Sequence, residues 1–136
     1  MKILIADDLL NNRKLLVDIL KIYGQCDTVS DGQEAVEVFE DGLVDDEPYS
    51  LVLLDLLMPR LNGQQALEKI RRLEREQHVL KEAIIFMVTA IDTTKNVLQA
   101  FYQGGCDDYI VKPINKDDLV KKLIDCNLVY PSSSVS

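Results

Sequence analysis

The chain has 136 residues, 47% of them hydrophobic and 28% charged, which is enough for one domain with its own core and too few for two. Twenty-three acidic against fifteen basic side chains give a net charge of −8, which repels phosphate backbones and anionic lipid and so argues against direct nucleic-acid or membrane binding. Three cysteines, Cys26, Cys106 and Cys126, cannot all pair, no CxxC or His-rich spacing suggests zinc or a redox couple, and a reducing compartment fits. Met1–Ala6 is too short for a signal peptide, and no apolar stretch nears the ~18 residues a membrane span needs, so a cytoplasmic location is expected.

In chain order, Lys2–Ala6 reads as a first strand, followed by a helix with the stripe Leu15, Leu16, Ile19, Leu20 and Tyr23. Gln25–Val29 is a second strand, and Ala35, Val36 and Phe39 mark the next helix. Asp41–Pro48 reads as an acidic loop before a third strand, Leu51–Leu54. Ala66, Leu67, Ile70 and Leu73 line a third helix whose residues Arg71, Arg72, Glu74, Arg75 and Glu76 read as its wet face, and His78 beyond them as solvent-facing. A fourth strand, Ile84–Val88, precedes a helix carrying Val97, Leu98 and Phe101 that Gly104-Gly105 stops. Tyr109–Val111 is the fifth strand, and Leu119, Val120, Leu123 and Ile124 line the fifth helix. Strands one, three and four are continuous apolar runs, as strands covered on both faces require. Five strand-helix units with right-handed crossovers then build a doubly wound, three-layer α/β domain with a parallel sheet. This domain is expected over residues 1–128, with a short polar tail at 129–136.

Ligands of such sheets bind beyond the carboxyl ends of the strands. There the sequence places Asp7 and Asp8 after the first strand, Asp55 after the third, Thr89 after the fourth and Lys112-Pro113 after the fifth. The second strand ends less distinctively, with Ser30, Asp31 and Gly32. Neighbouring strands lie about 4.8 Å apart, so if strands one and three adjoin, three carboxylates crowd within reach of one small cation. A hard, oxygen-seeking ion such as Mg²⁺ relieves their repulsion. Three negative charges, a divalent ion and the Lys112 ammonium come to about zero, and such a site receives an anionic phosphoryl group. Asp55, at the end of a central strand, is the best nucleophile; Lys112 and the Thr89 hydroxyl would contact the transferring oxygens, and the small Ala90 leaves the approach open. Other acid pairs have simpler readings: Asp45-Asp46 lies in a loop, Asp107-Asp108 is turn chemistry before a strand, and Asp117-Asp118 starts a helix. The cysteines read as small apolar fillers.

Ala6-Asp7-Asp8 with Asn12-Arg13, Leu54-Asp55-Leu56-Leu57-Met58-Pro59 with Gly63, Val88-Thr89-Ala90 and Asp108-Tyr109-Ile110-Val111-Lys112-Pro113 together resemble, in order and spacing, the receiver domain of two-component response regulators. The resemblance implies a flavodoxin-like (βα)5 sandwich with strand order 2-1-3-4-5. It also implies that Asp55 takes phosphate from a histidine kinase or a histidine phosphotransfer protein, with Mg²⁺, or Mn²⁺ in its place, held by Asp8, Asp55 and the Leu57 carbonyl while Asp7 holds one of its waters. Lys112-Pro113 is expected to be cis, with Pro113 a structural residue. Thr89 and Tyr109 look like the family's switch pair, through which phosphorylation alters the surface of the fourth helix, fifth strand and fifth helix for a downstream protein.

Two family positions that modulate hydrolysis are Leu57 and Ile91 here, and neither orients a water, so a long-lived acyl phosphate is expected. The chain would thus catalyse its own phosphorylation and dephosphorylation while acting mainly as a switch. An Asp-nucleophile phosphatase is the first alternative, but its second Asp is replaced by Leu57. A flavodoxin-like cofactor binder would need a Ser-, Thr- and Gly-rich loop where Asp7-Asp8 stands. Asn12-Arg13 resembles receivers of hybrid kinases and phosphorelays, whereas the Met1 start argues for a free-standing module.

Overall fold

The computed structural model of the protein describes residues 1–89 and 105–130. Among them are five strands, β1 (Lys2–Ala6), β2 (Gln25–Val29), β3 (Leu51–Asp55), β4 (Ile84–Thr89) and β5 (Asp108–Val111), and four helices, α1 (Leu10–Leu20), α2 (Gly32–Val44), α3 (Gly63–Glu76) and α4 (Lys116–Asp125). The last corresponds to the fifth helix expected from the sequence. The expectations for Ala90, Ile91, the helix carrying Val97, Leu98 and Phe101, Gly104 and the end of the tail fall outside the described residues.

The strands form one parallel sheet in the order β2-β1-β3-β4-β5. Alternation along each strand divides the core in two. Leu4, Val52, Leu54, Ile85 and Met87 meet Phe39 of α2 and Ala66, Leu67 and Ile70 of α3 on one face. Ile3, Ile5, Leu51, Leu53, Phe86, Val88 and Ile110 meet Leu16, Ile19 and Leu20 of α1 and Leu119 and Leu123 of α4 on the other. Both faces of the central strands are covered, which is why these strands read as unbroken apolar runs.

Caps set the helix starts. Asp31 accepts from the Glu34 amide, Asn62 forms a capping box with Gln65, and Asn115 accepts from the Asp118 amide. Three helices end on a residue in the left-handed region, Asp46 (φ 59°), His78 (φ 53°) and Asn127 (φ 61°). At α3 the His78 amide donates to the Arg75 carbonyl (3.2 Å) and the Val79 amide to the Glu74 carbonyl (3.0 Å), a Schellman closure that glycine normally occupies. His78 is exposed, so His78→Gly removes the left-handed penalty without losing a contact. It is expected to stabilise the protein by about 0.5 kcal/mol or more, read from the urea midpoint.

Several expectations are corrected. Asp41–Val44 is helix, not loop, because α2 runs on to its closure at Asp46. Leu15 is exposed, since the buried stripe of α1 is Leu16, Ile19 and Leu20. Arg71 and Glu74 are not on the wet face of α3: they are 9% and 2% exposed. Their spacing from Leu67 and Ile70 continues the apolar stripe, and the chain returns over them. Arg71 Nη1 donates to Glu74 Oε1 (2.7 Å) and the Ala83 carbonyl (2.8 Å), Nε to the Gly105 carbonyl (3.1 Å) and Nη2 to Asp107 Oδ2 (3.0 Å). Glu74 Oε2 accepts from the Ala83 amide, and Asp107 Oδ2 also accepts from the Ile85 amide. Asp107 is therefore part of a clamp across α3, β4 and the approach to β5 rather than simply a solvated turn residue. Asp108 is the first residue of β5, and its Oδ1 lies 3.3 Å from Lys122 Nζ. Asp45 and Asp46 are exposed beyond α2, and Asp117 and Asp118 lie in the first turn of α4, as expected. Of the free cysteines only Cys106 is fully a core residue, while Cys26 and Cys126 are half-buried.

Candidate functional site

Register brings the chemistry together. Ala6 pairs with Leu54, Asp55 with Val88 and Thr89 with Val111, so the residues that close or follow β1, β3, β4 and β5 meet on one rim. The Asp7 amide donates to the Val29 carbonyl (3.2 Å), the Leu56 amide to the Val88 carbonyl (2.8 Å) and the Lys112 amide to the Thr89 carbonyl (2.7 Å). The hydrogen-bond ladder thus continues just past the strands and ties the backbone at Asp7, Leu56 and Lys112 to the neighbouring strands.

Asp7 and Asp55 are buried and Asp8 is exposed, and one oxygen from each lies within 4.8 Å of the others. Lys112 Nζ reaches across β4 to within 3.0 Å of Asp55 Oδ2 and 3.2 Å of Asp7 Oδ2. Burial pushes the Asp55 carboxyl above the usual carboxylate range, the Asp7 charge adds to this, and Lys112 and the Leu57 amide oppose it. Burial works against the Lys112 ammonium, but Asp55 and Asp7 outweigh it and hold its pKa above the usual lysine value.

One ammonium does not neutralise three carboxylates. Asp7 Oδ2 is buried and lies close to Lys112 without the alignment of a hydrogen bond, so among the described residues its acceptor capacity is unfilled. Asp7 Oδ1 is engaged, by the Leu9 amide (2.9 Å) and by Asn12 Nδ2 (3.4 Å). An all-oxygen cluster with a surplus of negative charge, in which one buried carboxylate oxygen is ion-paired but accepts no hydrogen bond, fits a hard divalent cation such as magnesium.

Thr89 is buried at the end of β4 on this rim. Leu57 is exposed, and its amide faces Asp55 Oδ1 at 3.4 Å. Tyr109 is half-buried against the α2/α3 core, with Lys122 Nζ 5.6 Å from its ring centroid. The Lys112-Pro113 bond is cis, as expected. Sequence reasoning gave Asn12 and Arg13 no role of their own. In the structure Arg13 Nη1 donates to the Asp7 carbonyl at 2.7 Å and Asn12 contacts the Asp7 carboxylate. Their spacing, five and six residues after Asp7 on the first turn of α1, is the signal that locates them.

A doubly wound parallel sheet with an acid cluster and a lysine at its carboxyl edge defines a class of α/β domains whose polar site lies where open parallel sheets bind their ligands. Within that class the chain belongs to the response regulator receiver domain family, whose pattern matches residues 3–124. It is 33% identical over 124 residues to the probable transcriptional regulator ycf27 of Porphyridium aerugineum, covering 90% of this chain and 46% of that protein. The chain thus spans less than half the length of that curated relative. Among solved structures it superposes with a TM-score of 0.82 and 26% identity on a chain of the complex between the Saccharomyces cerevisiae histidine phosphotransfer protein Ypd1 and the receiver domain of its downstream response regulator Ssk1, covering 100% of this chain and 97% of that one. The response regulator TrrA of Thermotoga maritima, solved with Mg²⁺ and BeF, gives a TM-score of 0.74 at 32% identity, covering 94% and 98%. The fold is the flavodoxin-like one of receiver domains. No helix among the described residues is long and apolar enough to cross a membrane.

Proposed function

We propose that this receiver domain accepts a phosphoryl group on Asp55 from the phosphohistidine of a histidine kinase or histidine phosphotransfer protein, and passes the signal to a downstream protein in the cytoplasm. The observation that carries the reading is Lys112 Nζ, 3.0 Å from Asp55 Oδ2 inside a cluster of three carboxylates. In the reaction an Asp55 oxygen attacks phosphorus, the P–N bond to the imidazole breaks, and the donor ring, already protonated on its other nitrogen, leaves as neutral imidazole. The Lys112 ammonium, already beside that oxygen, meets the charge on the transferring oxygens, and Thr89 is in place on the rim to donate to one of them. Asp8, Asp55, the Leu57 carbonyl and Asp7 would hold magnesium, which supplies the remaining neutralisation. Arg13 and Asn12 fix Asp7 in position for that task. Thr89 and Tyr109 form the switch that reports the phosphoryl group to the partner surface, and Pro113, after the cis bond, is a structural residue beside Lys112.

Support for a phosphohistidine donor comes from likeness to a receiver solved with a histidine phosphotransfer protein, and support for the cation from likeness to one solved with Mg²⁺. Incubation with phosphoramidate, followed by intact-mass measurement, tests the reading. One phosphoryl group is expected with magnesium and none with a chelator, and uptake independent of the metal would overturn it. With Leu57 and Ile91 at the two hydrolysis-modulating positions, the isolated phosphoprotein in magnesium is expected to keep its label for minutes or longer. Loss within seconds would show that another group activates water.

A further inference from the structure

Four strand ends contribute a group to the site, and the fifth, Ser30-Asp31-Gly32 after β2, contributes none. It is nevertheless built against the site on two sides. The Val29 carbonyl holds the Asp7 amide (3.2 Å). Gly32 is buried so close to the β3–α3 connection that a Cβ there would collide with the Leu61 carbonyl. Asp31 Oδ2 lies 3.6 Å from Arg60 Nε of the same connection.

That connection, residues 56–62, carries Leu57. Its two ends are pinned. The Leu56 amide donates to Val88, the Gly63 amide donates to the Leu56 carbonyl at 2.9 Å, and Gly63 itself sits so tightly on the Asp55 carbonyl that it has no room for a side chain. Pressure from outside must therefore be taken up between Leu57 and Leu61. Asp31 does not yield instead, because it is 7% exposed and caps α2 by accepting from the Glu34 amide at 2.8 Å.

We propose that the β2–α2 turn, through Gly32 and Asp31, is a positioning element for the cation site, setting where the 56–62 connection and its Leu57 carbonyl lie relative to Asp8 and Asp55. This rests on the reading of those residues as a magnesium site. The turn touches neither the reacting atoms nor the cation, and supports both Asp7 and the Leu57 loop from the side.

Calorimetric titration of the full chain with magnesium chloride, at a temperature where circular dichroism shows each protein folded, tests the proposal. Gly42→Ala is the control. It lies on the same helix α2, and its added Cβ would come 2.9 Å from the Glu47 carbonyl, so it strains the α2–β3 connection instead. Gly32→Ala is expected to bind magnesium about tenfold or more weakly, as loss of support behind a ligand does, with Gly42→Ala unchanged within about twofold. A purely structural role moves the unfolding midpoint of both and the affinity of neither. Should Gly32→Ala not fold, Asp31→Ser keeps a capping oxygen, drops the contact to Arg60 and is expected to weaken binding about threefold. Equal affinity of the wild type and these variants overturns the proposal alone, as does equal weakening by Gly42→Ala. Absence of uptake by the wild type overturns the magnesium reading and the proposal with it.

Discussion

Asp55→Asn, given phosphoramidate and magnesium, is expected to take up no phosphoryl group, while the wild type takes up one. An amide oxygen is a poor nucleophile, and the substitution also removes the charge that holds Lys112 Nζ at 3.0 Å. Neither neighbouring acid is placed to substitute. Asp7 Oδ1 is committed to the Leu9 amide and Asn12, its Oδ2 is the buried oxygen assigned to the proposed cation site, and its side chain is 1% exposed, which leaves a phosphoryl donor little access. Asp8 is exposed and beyond the direct reach of the ammonium recorded for Asp7 and Asp55. Asp45→Asn, in the connection after α2, should label as the wild type does, which separates a specific acceptor from general acylation of carboxylates. A persistent label in Asp55→Asn would move the acceptor to another residue.

The largest stability effect is expected away from the site. Arg71→Ala should cost about 3–5 kcal/mol, the range for breaking a buried ion pair from one side. It strands Glu74, whose side chain is 1% exposed, and empties the donors to the Ala83 and Gly105 carbonyls. Replacing Arg71 and Glu74 together with apolar residues, which rescues many buried pairs, should not restore stability here. The Ala83 amide and carbonyl take their partners from these two side chains, and unpaired buried backbone groups carry their own penalty. Arg72→Ala, on an exposed neighbour, should stay within about 0.5 kcal/mol. Urea unfolding of the three variants at neutral pH checks the ranking.

The site was legible because its residues announce themselves locally. Asp7, Asp55, Thr89 and Lys112 each close or follow an apolar run, and a parallel sheet brings such positions to one edge whatever the loops do. The clamp was not legible in the same way. Arg71 and Glu74 read as part of a solvent face because the segments that bury them lie outside the helix, Ala83–Ile85 beyond the turn that ends it and Gly105–Asp107 more than thirty residues on. Their phase with Leu67 and Ile70 held the clue, but charge outweighed periodicity. The end of α2 was misplaced for a related reason: Asp41, Asp45 and Asp46 look like loop composition, yet Asp46 takes the left-handed closing position that Asp, Asn and His tolerate better than most residues. Support by Gly32 could not be read at all, since close approach of two backbones leaves no mark beyond the glycine itself.

The clamp grips the entrance of β4 at Ile85, and the rim of the candidate site uses its exit at Thr89. Four residues of extended strand separate them by about 13 Å, beyond the range at which substitutions ordinarily couple. Free-energy changes made at the two ends should therefore add within about 0.5 kcal/mol, so scaffold robustness and the proposed site can be tuned independently along a single strand.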